Sequence, residues 1–372
     1  MNILILSAST GAGHMRASNA LKSHIQKVDE NTNIEVVDVF KYINPLLDKT
    51  VCKGYLYLAT KAPRFYGKIY TSTNRESKIP SKLTKPIVLF NRKLMRLMNY
   101  FNPDVVITTH PFVTEMVSKL KEQEKITIPL ICIMTDYAPH KTWIHKYVDR
   151  YIVANDDMPD EMEKLGVPKE IVHSFGIPID DVFFNHDDKK VIRKELSLDE
   201  NLPTILIMAG SFGVKNILSI YNDIMKIPMD FQVVVITGRN EKLHTAFKST
   251  IANSPKTTEL IFFTDKVDKF MHSSNIIITK PGGLTISEAL ACNIPMVVFD
   301  AIPGQEQENA QFLVSHNMAI LLEKNKDCSY VIQNLLEDKA RLEFMKNSCK
   351  VFDKSDSCEN IFNLIKELCE AK

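Results

Sequence analysis

Short apolar runs rich in β-branched residues recur along this chain, and the stretches between them carry apolar positions at helical spacing. In the first half the runs are Asn2 to Ser7, Ile34 to Val39, Val105 to Thr109, Leu130 to Thr135 and Arg150 to Val153. Helices are predicted over about Gly13 to Val28, Pro111 to Glu122 and Asp157 to Leu165. Strand and helix in alternation read as a doubly wound parallel sheet. A second series follows the polar stretch Asn185 to Pro203, with strands at Thr204 to Met208, Gln232 to Ile236, Leu260 to Phe263, Asn275 to Thr279, Pro295 to Phe299 and Ala319 to Leu322. Two final helices are expected, about Cys328 to Cys349 and Glu359 to Ala371.

At 372 residues the chain is too long for one core. The expected class is therefore α/β, with two Rossmann-like doubly wound domains facing across a cleft. Residues 1–185 form the first, residues 186–345 the second, and residues 346–372 a terminal helix that crosses back to the first. Hydrophobic content of 45% with 24% charged residues is that of a soluble globular protein. Seven cysteines without a Cys-x-x-Cys pair point to a reducing compartment and to no structural zinc. The first residues, Met1 to Leu6, read as a strand and not a signal peptide, and no run of some twenty apolar residues marks a membrane span.

The formal net charge of +1 hides an asymmetry. Between Lys49 and Phe101 twelve bases face a single acid, Glu76, which gives this segment +11 and leaves −10 for the remainder. The same segment holds Tyr55, Tyr57, Phe65, Tyr66, Tyr70, Phe90, Tyr100 and Phe101, along with aliphatic residues such as Leu89, Leu94, Leu97 and Met98. Basic groups interleaved with aromatic and aliphatic ones suit an anionic membrane surface. Nucleic acid is the rival partner and a plain solvated face the simplest alternative. The aliphatic share favours the membrane, so peripheral attachment is expected, with no nucleic acid.

The chemistry concentrates at predicted strand ends. Thr279-Lys-Pro-Gly-Gly-Leu-Thr-Ile-Ser-Glu288 reads as a strand, a tight turn at Pro281 to Gly283 and a helix from Leu284, with Thr285 and Ser287 where capping residues belong. A glycine turn opening a helix presents unpaired N–H groups and the positive end of a dipole, which suits a diphosphate. Glu288 then stands within reach of a ribose diol, and Gln305 and Glu306 bring hydrogen-bonding groups for sugar hydroxyls. Gly210 and Ser211 follow another strand, and Lys280 or Arg239 add positive charge. No Asp-x-Asp triplet occurs, so the expectation is a nucleotide-sugar pocket that works without a metal. On the other wall, His14 begins a helix after Ser9-Thr-Gly-Ala-Gly13, where the dipole keeps the ring neutral and fit to act as a general base. Asp136 closes a strand, with His140 nearby to help it orient or replace His14, and His110 closes another. A dinucleotide site using Gly11, Gly13 and Asp38 is the competing reading, weakened because Arg16 stands where the third glycine belongs.

These motifs are several, ordered and spread over both halves. From Leu4 through His14, Met134-Thr-Asp136, His140-Lys-Thr-Trp143 and Gly176-Ile-Pro178 to Thr279-Lys-Pro-Gly-Gly283 and Pro303-Gly-Gln-Glu306, the chain resembles the diacylglycerol glycosyltransferases. Within them it is most similar to the bacterial processive β-glucosyltransferases. The resemblance implies a GT-B fold, a UDP-sugar donor held by the second domain and inversion at the anomeric carbon. It also implies transfer of a hexose, glucose before galactose, to the 3-hydroxyl of diacylglycerol, repeated on the product. It assigns Glu288 to the ribose, Gln305 and Glu306 to the sugar, Gly210, Ser211, Gly282 and Gly283 to the diphosphate, and His14 or Asp136 to acceptor activation. The uracil falls near Phe263 to Val267, and the basic aromatic segment becomes a membrane surface at the cytoplasmic face. An NAD-dependent oxidoreductase and a membrane-binding protein of the same shape without transfer activity are the alternatives.

Overall fold

The computed structural model describes residues 1–9, 12–44, 67, 84–208, 217–299, 301–322 and 327–370. The described residues fall into two units. The first comprises Met1–Asp181, Pro303–Gln305 and Lys354–Lys372, the second Val182–Ile302 and Glu306–Asp353.

In the first unit six parallel strands run in the order β2-β1-β3-β4-β5-β6, where β1 is Asn2–Ser7, β2 Asn33–Asp38, β3 Val105–Thr108, β4 Leu130–Ile133, β5 Arg150–Ile152 and β6 Val172–His173. The last of these has two residues, too few to leave a periodic signal in the sequence. In the second unit the order is β12-β11-β10-β7-β8-β9, with β7 Thr204–Met208, β8 Gln232–Ile236, β9 Thr258–Ile261, β10 Ile276–Thr279, β11 Met296–Val298 and β12 Ala319–Leu321. All pairings are parallel. Ile3 to Leu6, Val105 to Ile107 and Ile276 to Ile278 are fully buried, as strands covered on both faces must be. Each sheet reverses its strand order once, between β1 and β3 and between β7 and β10. In open α/β sheets such switch points are where loops part and ligands bind.

The terminal helix Ser357–Glu370 belongs to the first unit's core. Its Ile361, Phe362, Leu364 and Ile365 pack with Ile3, Ile5, Ile107 and Ile131. Ser357 Oγ donates to the Gly176 carbonyl at 3.0 Å, and Lys354 pairs with Asp156 at 2.9 Å. Gly176 has φ +95°, and a Cβ there would stand 2.7 Å from the Lys354 Cβ, so backbone conformation and close approach both require glycine.

Three local expectations are corrected. The single helix expected from Cys328 to Cys349 is two, Cys328–Glu337 and Lys339–Val351. Asp338 breaks it by turning its carboxylate onto the Arg341 N–H at 2.9 Å, a local bond that competes with helix continuation. The helix Gly283–Ala291 starts one residue early with Gly282 as its N-cap. Thr285 and Ser287 therefore lie inside it and cap nothing, and Ser287 Oγ bonds back to the Gly283 carbonyl at 3.0 Å. On helix Thr84–Phe101, the buried Leu94, Leu97 and Met98 face the protein core and not a membrane. Most of the basic aromatic segment, residues 45–66 and 68–83, lies outside the described residues.

Truncating Phe362 to Ala removes the largest side chain that the return helix sends into the first core. The expected cost is about 3–5 kcal/mol of unfolding free energy. Denaturant unfolding monitored by circular dichroism measures it, and a loss under about 1 kcal/mol would mean the helix is not part of that core.

Candidate active site

His14 stands in the first turn of helix Ala12–Val28, which follows β1 at the first sheet's switch point. Thr109 and His110, directly after β3, lie across that point. The His14 Nδ1 is 2.9 Å from the Thr135 hydroxyl. Its ring meets the His110 ring edge-on at 4.8 Å and the Trp143 ring at 6.2 Å between centroids. Below it the hydroxyls of Ser18 and Thr109 lie 3.0 Å apart, Ser18 Oγ donates to the His14 carbonyl at 2.9 Å, and Thr109 Oγ1 donates to Ser7 Oγ at 2.8 Å. Burial lowers the His14 pKa to about 4, against a smaller upward pull from the Thr109 carbonyl. Burial, and then the neighbouring His14, holds His110 well below its ordinary value. Both rings are neutral at cell pH, and a neutral imidazole accepts a proton.

Asp136 is buried. Trp143 Nε1 donates to its Oδ2 at 3.1 Å, and Gln305 Nε2 donates to its Oδ1. His140 has a local structural part. Its Nδ1 accepts the Thr142 N–H at 3.2 Å and so caps the 3-10 turn Lys141–Trp143, which aims the Trp143 indole at Asp136. Asp38 is likewise committed, capping helix Val39–Ile43 by accepting the Lys41 N–H at 3.2 Å and taking the Ser9 hydroxyl. That use leaves little for a nucleotide ribose.

In the second unit, the turn Lys280 to Gly282 follows β10 at the switch point. Gly282 caps helix Gly283–Ala291 without any side-chain bond, and space beside its Cα is open. The first-turn N–H groups of Gly283, Leu284 and Thr285 have no acceptor within the helix and point out along its dipole. Asn309 Nδ2 fixes the turn by donating to the Pro281 carbonyl at 3.1 Å. Glu288 is 1% exposed, and its charge, after burial, helps to raise the neighbouring Cys292 thiol. Glu306 Oε2 accepts the Ile302 N–H at 2.9 Å, which ties the loop after β11 to helix Gln305–Ser315. The Arg239 guanidinium lies 4.6 Å over the Phe263 ring, at the ends of β8 and β9. Gly210 and Ser211 lie outside the described residues.

Thr135 and Asn309 were given no role by the sequence, although Thr135 lies inside one quoted motif and Asn309 just past another. Each acts on a neighbour distant in the chain, and no spacing rule encodes such a contact. Among the described residues no group of three or more His, Cys, Asp or Glu could hold a metal ion, and no helix is long and apolar enough to cross a membrane.

Residues 14–179 match the monogalactosyldiacylglycerol (MGDG) synthase family, and residues 204–362 match the glycosyltransferase family 28 C-terminal domain. A processive diacylglycerol beta-glucosyltransferase of Staphylococcus carnosus is 34% identical over 348 residues, covering 92% of this chain and 86% of the relative. The protein of the same name from Bacillus pumilus is 31% identical over 368 residues, covering 98% and 94%. Among solved structures, MurG of Acinetobacter baumannii superposes with a TM-score of 0.63 at 14% identity, covering 98% of this chain and 99% of that one. Anabaena Alr3699/HepE in complex with UDP-glucose gives 0.60 at 14% identity, covering 100% of both chains. The fold is that of the GT-B glycosyltransferases. With two family matches in tandem and relatives alike over nearly the full length, the chain belongs to the diacylglycerol glycosyltransferases and is a glycosyltransferase enzyme.

Proposed function

We propose that this chain transfers glucose from UDP-glucose to the 3-hydroxyl of 1,2-diacylglycerol, inverting the anomeric carbon and repeating the transfer on its own product. The observation that carries the reading is the likeness over nearly the whole chain to proteins named processive diacylglycerol beta-glucosyltransferases. His14 is the base in this reading. It takes the proton of the attacking hydroxyl while the new bond forms at the anomeric carbon and the electron pair of the old one departs with UDP. The helix beginning at Gly283, with Lys280, meets the diphosphate charge, so the reaction runs without a metal ion. Arg239, Glu288, Gln305 and Glu306 complete the donor site.

UDP-galactose is the second reading, and the match to MGDG synthase favours it. That match covers the N-terminal unit, which the reading gives to the acceptor, so it bears on the lipid more than on the sugar. Attachment is peripheral, at the cytoplasmic face of the membrane. It is supported by the exposed Arg92, Arg96 and Tyr100, which form one stripe at helical spacing on helix Thr84–Phe101 and continue the basic segment from Lys49.

Incubation with diacylglycerol vesicles and each labelled donor should give glucosyl lipid from UDP-glucose, then a diglucosyl lipid, in the presence of EDTA. Galactosyl lipid alone would transfer the assignment to UDP-galactose, and abolition by EDTA would end the metal-free reading. His14→Ala should lower kcat about 100- to 10,000-fold with UDP affinity intact. Glu288→Ala should weaken UDP binding about tenfold or more through the lost charged hydrogen bond, read by calorimetry. Unchanged affinity there would remove Glu288 from the donor site. The pH dependence follows from burial. A base works when neutral, so kcat/KM should stay level as pH falls from 8 and drop only on approach to about 4, the His14 value. A profile that breaks near the ordinary histidine value of about 6.5 contradicts the assignment.

A further inference from the structure

Among the described residues, Thr135 Oγ1 is the one side-chain atom hydrogen-bonded to the His14 ring, at 2.9 Å from Nδ1. A hydroxyl can donate or accept, and the two cases differ chemically. If Nδ1–H donates to Thr135, Nε2 keeps its lone pair and can take a proton. If the hydroxyl donates to Nδ1, the ring proton sits on Nε2 and that atom is closed to base chemistry. We propose that Thr135 accepts from the Nδ1–H of His14 and thereby holds the ring in the tautomer whose Nε2 receives the proton of the acceptor hydroxyl. This rests on the assignment of His14 as the base.

The geometry around the pair supports the role. Thr135 is 6% exposed and directly precedes Asp136, whose carboxylate is held by Trp143 and Gln305, so the hydroxyl sits on a fixed stretch of chain. Contacts with the His110 and Trp143 rings restrain the plane of the imidazole. The acceptor role also persists through the reaction. When the hydroxyl proton arrives at Nε2, the ring becomes an imidazolium whose Nδ1–H still donates to the same oxygen, and that charge-assisted bond is the stronger one. In the opposite arrangement Nε2 already carries a proton and has no lone pair for the one that arrives. The Thr109 carbonyl also faces the ring. Were it to hold an Nε2–H, Thr135 would be the donor and the tautomer would be reversed, which a nitrogen spectrum detects directly.

The test begins with the unaltered protein labelled with 15N-histidine. Two-dimensional NMR at pH 7 should show His14, identified by loss of its signal in His14→Ala, with its proton on Nδ1. A proton on Nε2 overturns the proposal without any substitution. Thr135→Val should lower kcat about a hundredfold with the KM for UDP-glucose unchanged, and should shift the His14 tautomer toward Nε2–H. Thr135→Ser, which restores the hydroxyl, should recover most of the rate and the original spectrum. A Thr135→Val enzyme with normal kcat, or a Ser variant as slow as the Val one, overturns the positioning role. Near-normal turnover in His14→Ala is a different failure, because it removes His14 as the base.

Discussion

A parallel sheet has no face it can leave to water, because its strands are apolar on both sides, and most of this architecture follows from that constraint. Helices must lie on each face, so every strand is followed by a crossover that returns the chain to the same edge. In the first unit, among the described residues, the helices between its own strands are not the whole of the cover. Helix Ser357–Glu370 supplies the rest, with Phe362 and Ile365 set among Ile3, Ile5 and Ile131. The chain must therefore come back after the second unit. The price of that return is visible at Gly176, where only a residue without a side chain allows Lys354 to pass.

The same crossovers create the sites. Where the strand order reverses, a helix starts with its N-terminus at the sheet's carboxyl edge, and its dipole places positive potential there. One sign of potential does two different jobs. In the second unit it attracts an anion to the N–H groups of Gly283 and its neighbours. In the first it opposes the imidazolium at His14, adding to the burial that holds the ring neutral. Four helices elsewhere spend their N-termini on side-chain caps, from Asp188, Asn240, Asp327 and Asp338. Gly282 and His110 cap their helices with no side-chain bond, so those N-termini are not consumed by the protein's own carboxylates or amides.

The strands were legible because burial on both faces writes itself into composition. Asn2–Ser7, Thr204–Met208 and Gln232–Ile236 fall where the apolar runs place them, and Pro111 marks the start of its helix. What the pattern could not carry was contact between distant residues. Asp136 sits in a motif with His140 and Trp143, yet one of its carboxylate oxygens is taken by Gln305, 169 residues away. Leu94 and Met98 looked like membrane anchors because hydrophobicity alone does not say which surface it covers. Asp338 interrupts a continuous helical pattern because a single carboxylate hydrogen bond outweighs the modest propensity of the residues around it.

Three helices that start at the switch points of the two sheets share one further device. Ser18 bonds to the carbonyl of His14, Thr114 to that of His110 and Ser287 to that of Gly283, each four residues back and each onto a carbonyl at the start of its helix. All three hydroxyl residues are buried against their sheets, where a hydroxyl without a partner would cost about 1–3 kcal/mol. Bonding back to the helix meets that need locally, and Ser18 and Thr114 also reach the hydroxyls of Thr109 and Thr108 at the end of β3. Small side chains at these positions also let the helix start sit close to the sheet. The first turn is then held from below by packing and from within by an added hydrogen bond, while its outward N–H groups stay unspent. A larger apolar residue in the same place would bury more surface but push the helix start away from the strand ends, and His14 and Gly283 would move with it.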